Sequence, residues 1–229
     1  TATDGIRTSL RLGDSALIVG EVRSKEAVAL YEAMRVGALA NVVMGTIHGD
    51  SPYSIYDRVV NDLGVPKTSF KATDIIIVSN PVKSASGIGK IRRVLQISEV
   101  RKEWEDDPLR EHGFVDLMVY NPKTDTLEPT DALIQGESVV LKSIASRIAE
   151  WAGDWDAVWE NIQLRSKIKE KIVELGKDKP ELMEAEFTIM ANDMFHRISE
   201  DLFQKEGRSD PEKIYNEWES WMTTEAGKR

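Results

Sequence analysis

Three short apolar runs, separated by helix-length segments, constrain this chain more than any other feature. They are Ala16-Leu17-Ile18-Val19, the segment Asn41 to Ile47, and Asp74-Ile75-Ile76-Ile77-Val78. A short apolar run without alternation reads as a strand buried on both faces, the kind that parallel sheets contain. Between the first two, residues 25–38 are rich in helix formers, with Ala27, Leu30, Met34 and Ala38 at helical spacing. Between the second and third, Ser51-Pro52 is a helix start, with Ser as N-cap and Pro at the first position, and Gly64 can end that helix after Leu63. Strand, helix, strand, helix, strand is the order of an α/β layer with a parallel sheet.

The first run stops abruptly at Gly20-Glu21-Val22-Arg23, and the second at Thr46-Ile47-His48-Gly49-Asp50. Ligands of open parallel sheets sit beyond the carboxyl ends of the strands. Glu21 is thereby set where a phosphate-bound metal or an attacking water belongs. From the residues alone, Glu21 is equally a surface carboxylate capping the next helix, and His48 a strand-end imidazole bonded to a carbonyl.

The pattern changes near residue 79. Ser79 to Gly89 is turn-rich; Lys90–Val100 and Phe114–Tyr120 read as strands, expected to extend the sheet in antiparallel fashion. From Glu137 onward the chain reads as helical: one helix over 138–152, one from Trp155 to Leu175 closed by Gly176, one opened by Pro180 and closed by Gly207, and one opened by Asp210-Pro211. Met183, Phe187, Met190, Met194 and Ile198 form a stripe, and Trp151, Trp155 and Trp159 lie four apart, both as packed helical faces. A short helix over Asp4–Leu12 precedes the first strand. The expected division is an α/β domain over 1–136 and an all-α domain over 137–229.

Charge separates the same two parts. The 229 residues carry a net charge of −9; residues 1–100 hold 12 Lys and Arg against 10 Asp and Glu, and residues 101–229 hold 18 against 29. The acidic second part argues against general nucleic-acid binding there, and an anionic ligand belongs in the first hundred residues. The absence of cysteine excludes disulfides and thiolate zinc sites, and three scattered histidines (His48, His112, His196) do not make a histidine-rich metal site. No apolar run approaches the roughly 20 residues that span a bilayer. The opening residues are polar and mixed in charge, without a signal-peptide pattern. They begin without Met, inside a helical pattern, so the chain reads as a piece of a longer protein.

Four segments together resemble the type II/type IV secretion ATPase superfamily, the motors of secretion, pilus assembly and the archaeal flagellum. They are Thr8-Ser9-Leu10-Arg11, Leu17 through Arg23, Ala33-Met34-Arg35-Val36-Gly37-Ala38, and Gly45-Thr46-Ile47-His48. The run ending in Gly20-Glu21 is similar to the family's Walker B box, and the segment with Thr46 and His48 to its His box. The likeness covers about residues 5–100 and is nearer to archaeal members, since the zinc module of many bacterial ones is missing. It implies the C-terminal half of a RecA-like, P-loop NTPase domain with a helical domain after it. It further implies ATP and Mg²⁺ as cofactors, with Glu21 polarising the attacking water or holding Mg²⁺ through water, and His48 sensing the γ-phosphate. Arg11 and Arg23 match family positions and Arg58 follows the His box, as cations at the nucleotide or between subunits; the plain alternative for each is a surface ion pair. The partners implied are five further copies in a homo-hexamer and a polytopic membrane platform protein, with no direct nucleic acid and no membrane span. The location implied is cytoplasmic, at the inner face of the cell membrane.

The phosphate loop itself is not in the sequence. Ser84-Ala85-Ser86-Gly87-Ile88-Gly89-Lys90-Ile91 lacks the first glycine and the final hydroxyl of Gly-x-x-x-x-Gly-Lys-Ser/Thr, and it lies after the third strand. In the family that loop precedes the Walker B strand, as does the acidic box, so the chain alone is expected to be inactive. A rival reading makes the chain a non-enzymatic docking module, in which helical Met and Trp faces bind a partner beside a degenerate nucleotide core. A third, a nucleic-acid translocase with the same core, is disfavoured by the acidic tail.

Overall fold

A computed structural model describes residues 1–9, 16–36, 42–83 and 88–228. The chain divides into two compact units, Thr1–Val140 and Leu141–Arg229. The first is α/β and the second all-α.

In the first unit, helix α1 (Ala2–Ser9) is followed by strand β1 (Ala16–Val19), helix α2 (Glu26–Val36) and strand β2 (Val42–Gly45). β1 and β2 pair in parallel, Ala16 opposite Val42 and Val19 opposite Gly45. Their inward residues Leu17, Val19 and Val43 pack on a core that contains Ala27 and Leu30 of α2. Gly45 at the strand end lets Leu30 and Val22 pack close, since a Cβ there would lie 3.0 Å from Leu30 Cδ2 and 3.1 Å from Val22 Cγ2. The outward row of Ile18, Val42 and Met44 is exposed. Burial on both faces, expected from the unbroken apolar runs, is therefore not what the described residues give: one face is covered by α2 and its neighbours, and the other has no layer on it.

Helix α3 (Pro52–Asp57) starts as its sequence dictates. Ser51 accepts from Ser54 N at 3.2 Å, and Ser54 Oγ in turn accepts from Ser51 N at 3.0 Å, a reciprocal cap. The helix continues as a π-helical turn over Arg58–Asp62 and stops at Gly64, in the left-handed region at φ +72°. A one-turn helix, α4 (Lys67–Phe70), follows. Phe70, Tyr56 and Trp104 make an edge-to-face aromatic cluster, with ring centroids 5.1 Å and 5.5 Å from Tyr56 to the other two.

The third apolar run does not join β1 and β2. Strand β3 (Ile75–Lys83) pairs antiparallel with β4 (Lys90–Val100), which pairs with β5 (Phe114–Asn121), which pairs with β6 (Thr126–Pro129). The expected three-stranded parallel layer with an antiparallel extension is thus two sheets, one parallel pair and one antiparallel four-stranded sheet. The reason is local: the chain returns within seven residues, and β3 finds a nine-residue partner in β4 before any distant strand.

Glu99, near the end of β4, is completely buried. Its carboxylate accepts from Ser138 Oγ at 2.5 Å, Val139 N at 3.0 Å and Val140 N at 3.3 Å, and Arg101 Nη1 lies 3.5 Å away. It thereby caps the start of helix α6 (Val139–Ala145), which follows the single-turn α5 (Asp131–Ile134). A helix over 138–152 was expected; it ends at Ala145, and turns occupy the residues up to Gly153, so Trp151 is not on the helix that carries Trp155 and Trp159.

The second unit is built from α7 (Trp155–Gly176), a 3-10 turn over Pro180–Met183, α8 (Ala185–Glu206) and α9 (Pro211–Gly227). Asp154 caps α7 by accepting from Ala157 N at 3.1 Å. Gly207 ends α8 at φ +73°, and Asp210 caps α9 through Glu212 N and Lys213 N. The core is a stripe from each helix: Leu164, Ile168 and Ile172; Phe187, Ala191, Phe195 and Ile198; Ile214, Trp218 and Met222. Trp218 is fully buried and still donates its indole N–H to Ala191 O at 3.0 Å.

Candidate functional site at the strand ends of the parallel pair

The parallel ladder does not stop with the strands. Thr46 N donates to Val19 O at 3.3 Å, and Val22 N donates to Thr46 O at 2.8 Å. Thr46 Oγ1 also donates to Gly20 O. These bonds tie the segment after β1 to the segment after β2 and fix the backbone on either side of Glu21.

Glu21 lies between two cationic or ionisable neighbours. Arg23 Nη2 donates to its Oε2, and His48 Nε2 lies 3.2 Å from its Oε1. The Arg23 bond holds the Glu21 carboxyl below the usual carboxylate range, opposed in part by desolvation, with the charge of Arg23 and then His48 adding to the lowering. The Arg23 guanidinium is raised in return. Glu21 Oε1 is buried and accepts no well-formed hydrogen bond among the described residues; the His48 imidazole beside it adds a weak further lowering of the carboxyl. The side chain of Glu21 is 30% exposed, that of His48 79%, so imidazole and carboxylate share a rim open to solvent.

Two neighbouring clamps were not evident from the sequence patterns. Glu26, at the start of α2, accepts from Arg23 N at 2.7 Å, Ser24 N at 2.9 Å and Ser24 Oγ at 2.5 Å. These bonds depress its pKa from 4.5 to about 2. An acid two residues after a serine, at a helix start, was the available signal. Gly49 is the second clamp: a Cβ there would lie 2.3 Å from Ile55 Cδ1, so the turn after His48 lies against α3.

The structure brings Gly20, Glu21, Arg23, Thr46 and His48 together. No hydrogen bond or ion pair among the described residues joins Arg58 to them; it begins the π-helical turn, partly buried, with its Nε buried and without a partner. Arg11 lies outside the described residues. No group of three or more His, Cys, Asp or Glu among the described residues could hold a metal ion by itself. A single carboxylate fits a magnesium ion held by phosphates and water and reached from Glu21 through one of those waters. Chemically, the arrangement can keep a carboxylate ionised, offer one of its oxygens to a water, and present an imidazole to an anion beside it.

No family model matches the chain. It is similar to two uncharacterized proteins of Methanocaldococcus jannaschii. One, MJ1287, is 30% identical over 155 residues, covering 67% of this chain and 51% of that protein. The other, MJ0900, is 27% identical over 178 residues, covering 76% of this chain and 30% of that protein. The chain thus spans about half the length of the first and under a third of the second.

Proposed function

We propose that this chain is the C-terminal part of a hexameric ATPase that powers protein secretion or assembly of a type IV pilus or archaeal flagellum. In that reading the first unit is the C-terminal half of a RecA-like domain, and the phosphate loop belongs to the preceding part of a longer protein. The observation that carries it is the convergence of Glu21 and His48, 3.2 Å apart, beyond the carboxyl ends of neighbouring parallel strands. The buried Oε1 of Glu21 supports it, and this chain's match to only part of two longer proteins leaves room for a preceding segment.

Glu21, kept ionised by Arg23, orients and polarises the water that attacks the terminal phosphate. His48 donates to that phosphate's oxygens and passes its loss to the turn at Gly49–Ser51, which lies against α3. Arg58, and Arg11 from the segment before β1, supply cations to the nucleotide across a subunit boundary. Glu21 would hold a magnesium ion brought in with ATP through a water, and such an ion would supply neutralisation of charge on the phosphates. Six copies work in the cytoplasm against a polytopic membrane protein at the inner face of the membrane. The test is Glu21→Gln in the longer protein. ATP binding persists, and phosphate release falls at least about 100-fold, the range of a lost general base. Turnover at the parental rate refutes the assignment, and so does Mg²⁺-dependent hydrolysis by the 229-residue chain alone.

A further inference from the structure

We infer that the outer part of the β3–β4 ribbon is a docking arm for an anionic lipid surface. β3 and β4 pair as far as Lys83 opposite Lys90, whereas β5 pairs with β4 only between Gln96 and Val100. Residues 79–83 and 90–94 therefore run on as a two-stranded ribbon past the third strand.

Opposed residues of an antiparallel pair share a face, as do alternate residues along a strand. Lys83 opposes Lys90 and Pro81 opposes Arg92, so three cations stand on one face. All three are exposed. No acidic residue occurs between Asp74 and Glu99. The fourth cation, Arg93, is on the other face and is held by Asp125 at 2.8 Å and 2.7 Å. Among the described residues, Lys83, Lys90 and Arg92 have no carboxylate within ion-pair distance, while Arg93 does. Directly opposed like charges repel, and an anion laid across the face relieves that repulsion.

Apolar side chains accompany the cations. Ile88, two residues before Lys90, is 94% exposed, and Ile77, 62% exposed, lies at the inboard end of the arm, before the register shift between Val78 and Ser79. Cations beside uncovered aliphatic side chains suit a headgroup layer, where the aliphatic groups enter the acyl boundary and Lys and Arg meet anionic lipid. A nucleic acid would use the cations and leave the isoleucines in water. No helix among the described residues is long and apolar enough to cross a membrane, so contact through this arm is a surface contact. The inference deepens the membrane-side setting of the reading above, and its test needs no nucleotide.

The experiment is co-sedimentation of the full chain with vesicles of equal parts phosphatidylglycerol and phosphatidylcholine, and with phosphatidylcholine alone, at low and high salt. Binding to the anionic vesicles only, lost in high salt, is expected. Lys83→Gln, Lys90→Gln and Arg92→Gln together lower the partition on the order of 100-fold, each charge near the surface contributing about fivefold. Ile88→Ser lowers it about tenfold. Removing three exposed cations of the helical unit instead (Lys142→Gln, Lys169→Gln, Lys205→Gln) leaves it unchanged, which separates the arm from bulk charge. All substituted positions are exposed, and circular dichroism checks that the variants are folded. Equal partition of the arm variant and the parent overturns the inference, as does arm-dependent binding to duplex DNA with no binding to vesicles. Neither result bears on ATP turnover, and a failed Glu21→Gln test leaves the vesicle measurement standing.

Discussion

Glu99→Ala is the substitution whose cost follows most directly from the structure. It removes a buried acceptor from Ser138 Oγ and from two backbone N–H groups, Val139 and Val140, and leaves the Arg101 guanidinium without its carboxylate. Hydrogen bonds to a charged group contribute about 1.5–3 kcal/mol each, but they do not add, and desolvation of the carboxylate opposes them. Breaking a buried, hydrogen-bonded ion pair from one side costs about 3–5 kcal/mol, so we take about 4 kcal/mol for Glu99→Ala. Glu99→Gln keeps the shape and one acceptor but turns an amide N–H₂ toward donors, for about 2 kcal/mol; Ser138→Ala removes one bond, for about 1 kcal/mol. The order Ala, Gln, then Ser138→Ala should appear in urea unfolding followed by circular dichroism, with m-values compared to confirm the same transition. A Glu99→Ala variant within about 1 kcal/mol of the parent refutes the argument, since the loss of three hydrogen bonds to one buried carboxylate must cost more than that.

Two further outcomes are expected. At Gly113 a Cβ would lie 2.6 Å from Pro108 Cβ, 2.6 Å from Trp104 Cδ1 and 2.8 Å from Pro108 Cα, so Gly113→Ala must move backbone or a fully buried indole. A loss of about 1–3 kcal/mol in thermal or urea unfolding is expected, and an unchanged midpoint counts against the packing described. The second concerns acid. Glu26 and Asp125 both fall to about 2 in the folded chain, from 4.5 and 3.8, the first through Ser24 and nearby backbone N–H groups, the second through Arg93 and Tyr120. A depressed carboxylate stabilises the fold above its unfolded pKa, and that contribution is lost as pH falls through the folded one. The difference in unfolding temperature between parent and Glu26→Gln should therefore be full at neutral pH and shrink between about pH 4.5 and 2; an equal difference at both ends would falsify the linkage.

What could be read in the sequence was mostly what a few adjacent residues decide. Ser51-Pro52, Gly207 and Asp210-Pro211 mark helix ends because a cap is a contact between neighbours. Glu21 and His48 could be assigned to strand ends because each apolar run breaks at a polar residue, and the structure adds that the two side chains meet. The partner of β3 could not be read, because Ile75-Ile76-Ile77-Val78 has the same pattern in either sheet. Nor could the burial of Glu99, since its donors lie 39 to 41 residues away and a lone glutamate at a strand end reads as surface. The π-helical turn that begins at Arg58 is not announced by any residue pattern.

The outward row of the parallel pair has a practical consequence. Ile18, Val42 and Met44 stand 65%, 45% and 49% exposed on a sheet of only two strands among the described residues. Such a surface offers both greasy side chains and spare main-chain groups to whatever strand drifts alongside. Its chief colloidal protection is the mutual repulsion of molecules bearing −9 each, a barrier that concentrated salt thins to a few ångströms. Preparations of the isolated chain therefore keep best dilute and in modest salt, and clumping in brine reflects this bare row rather than a failure to fold.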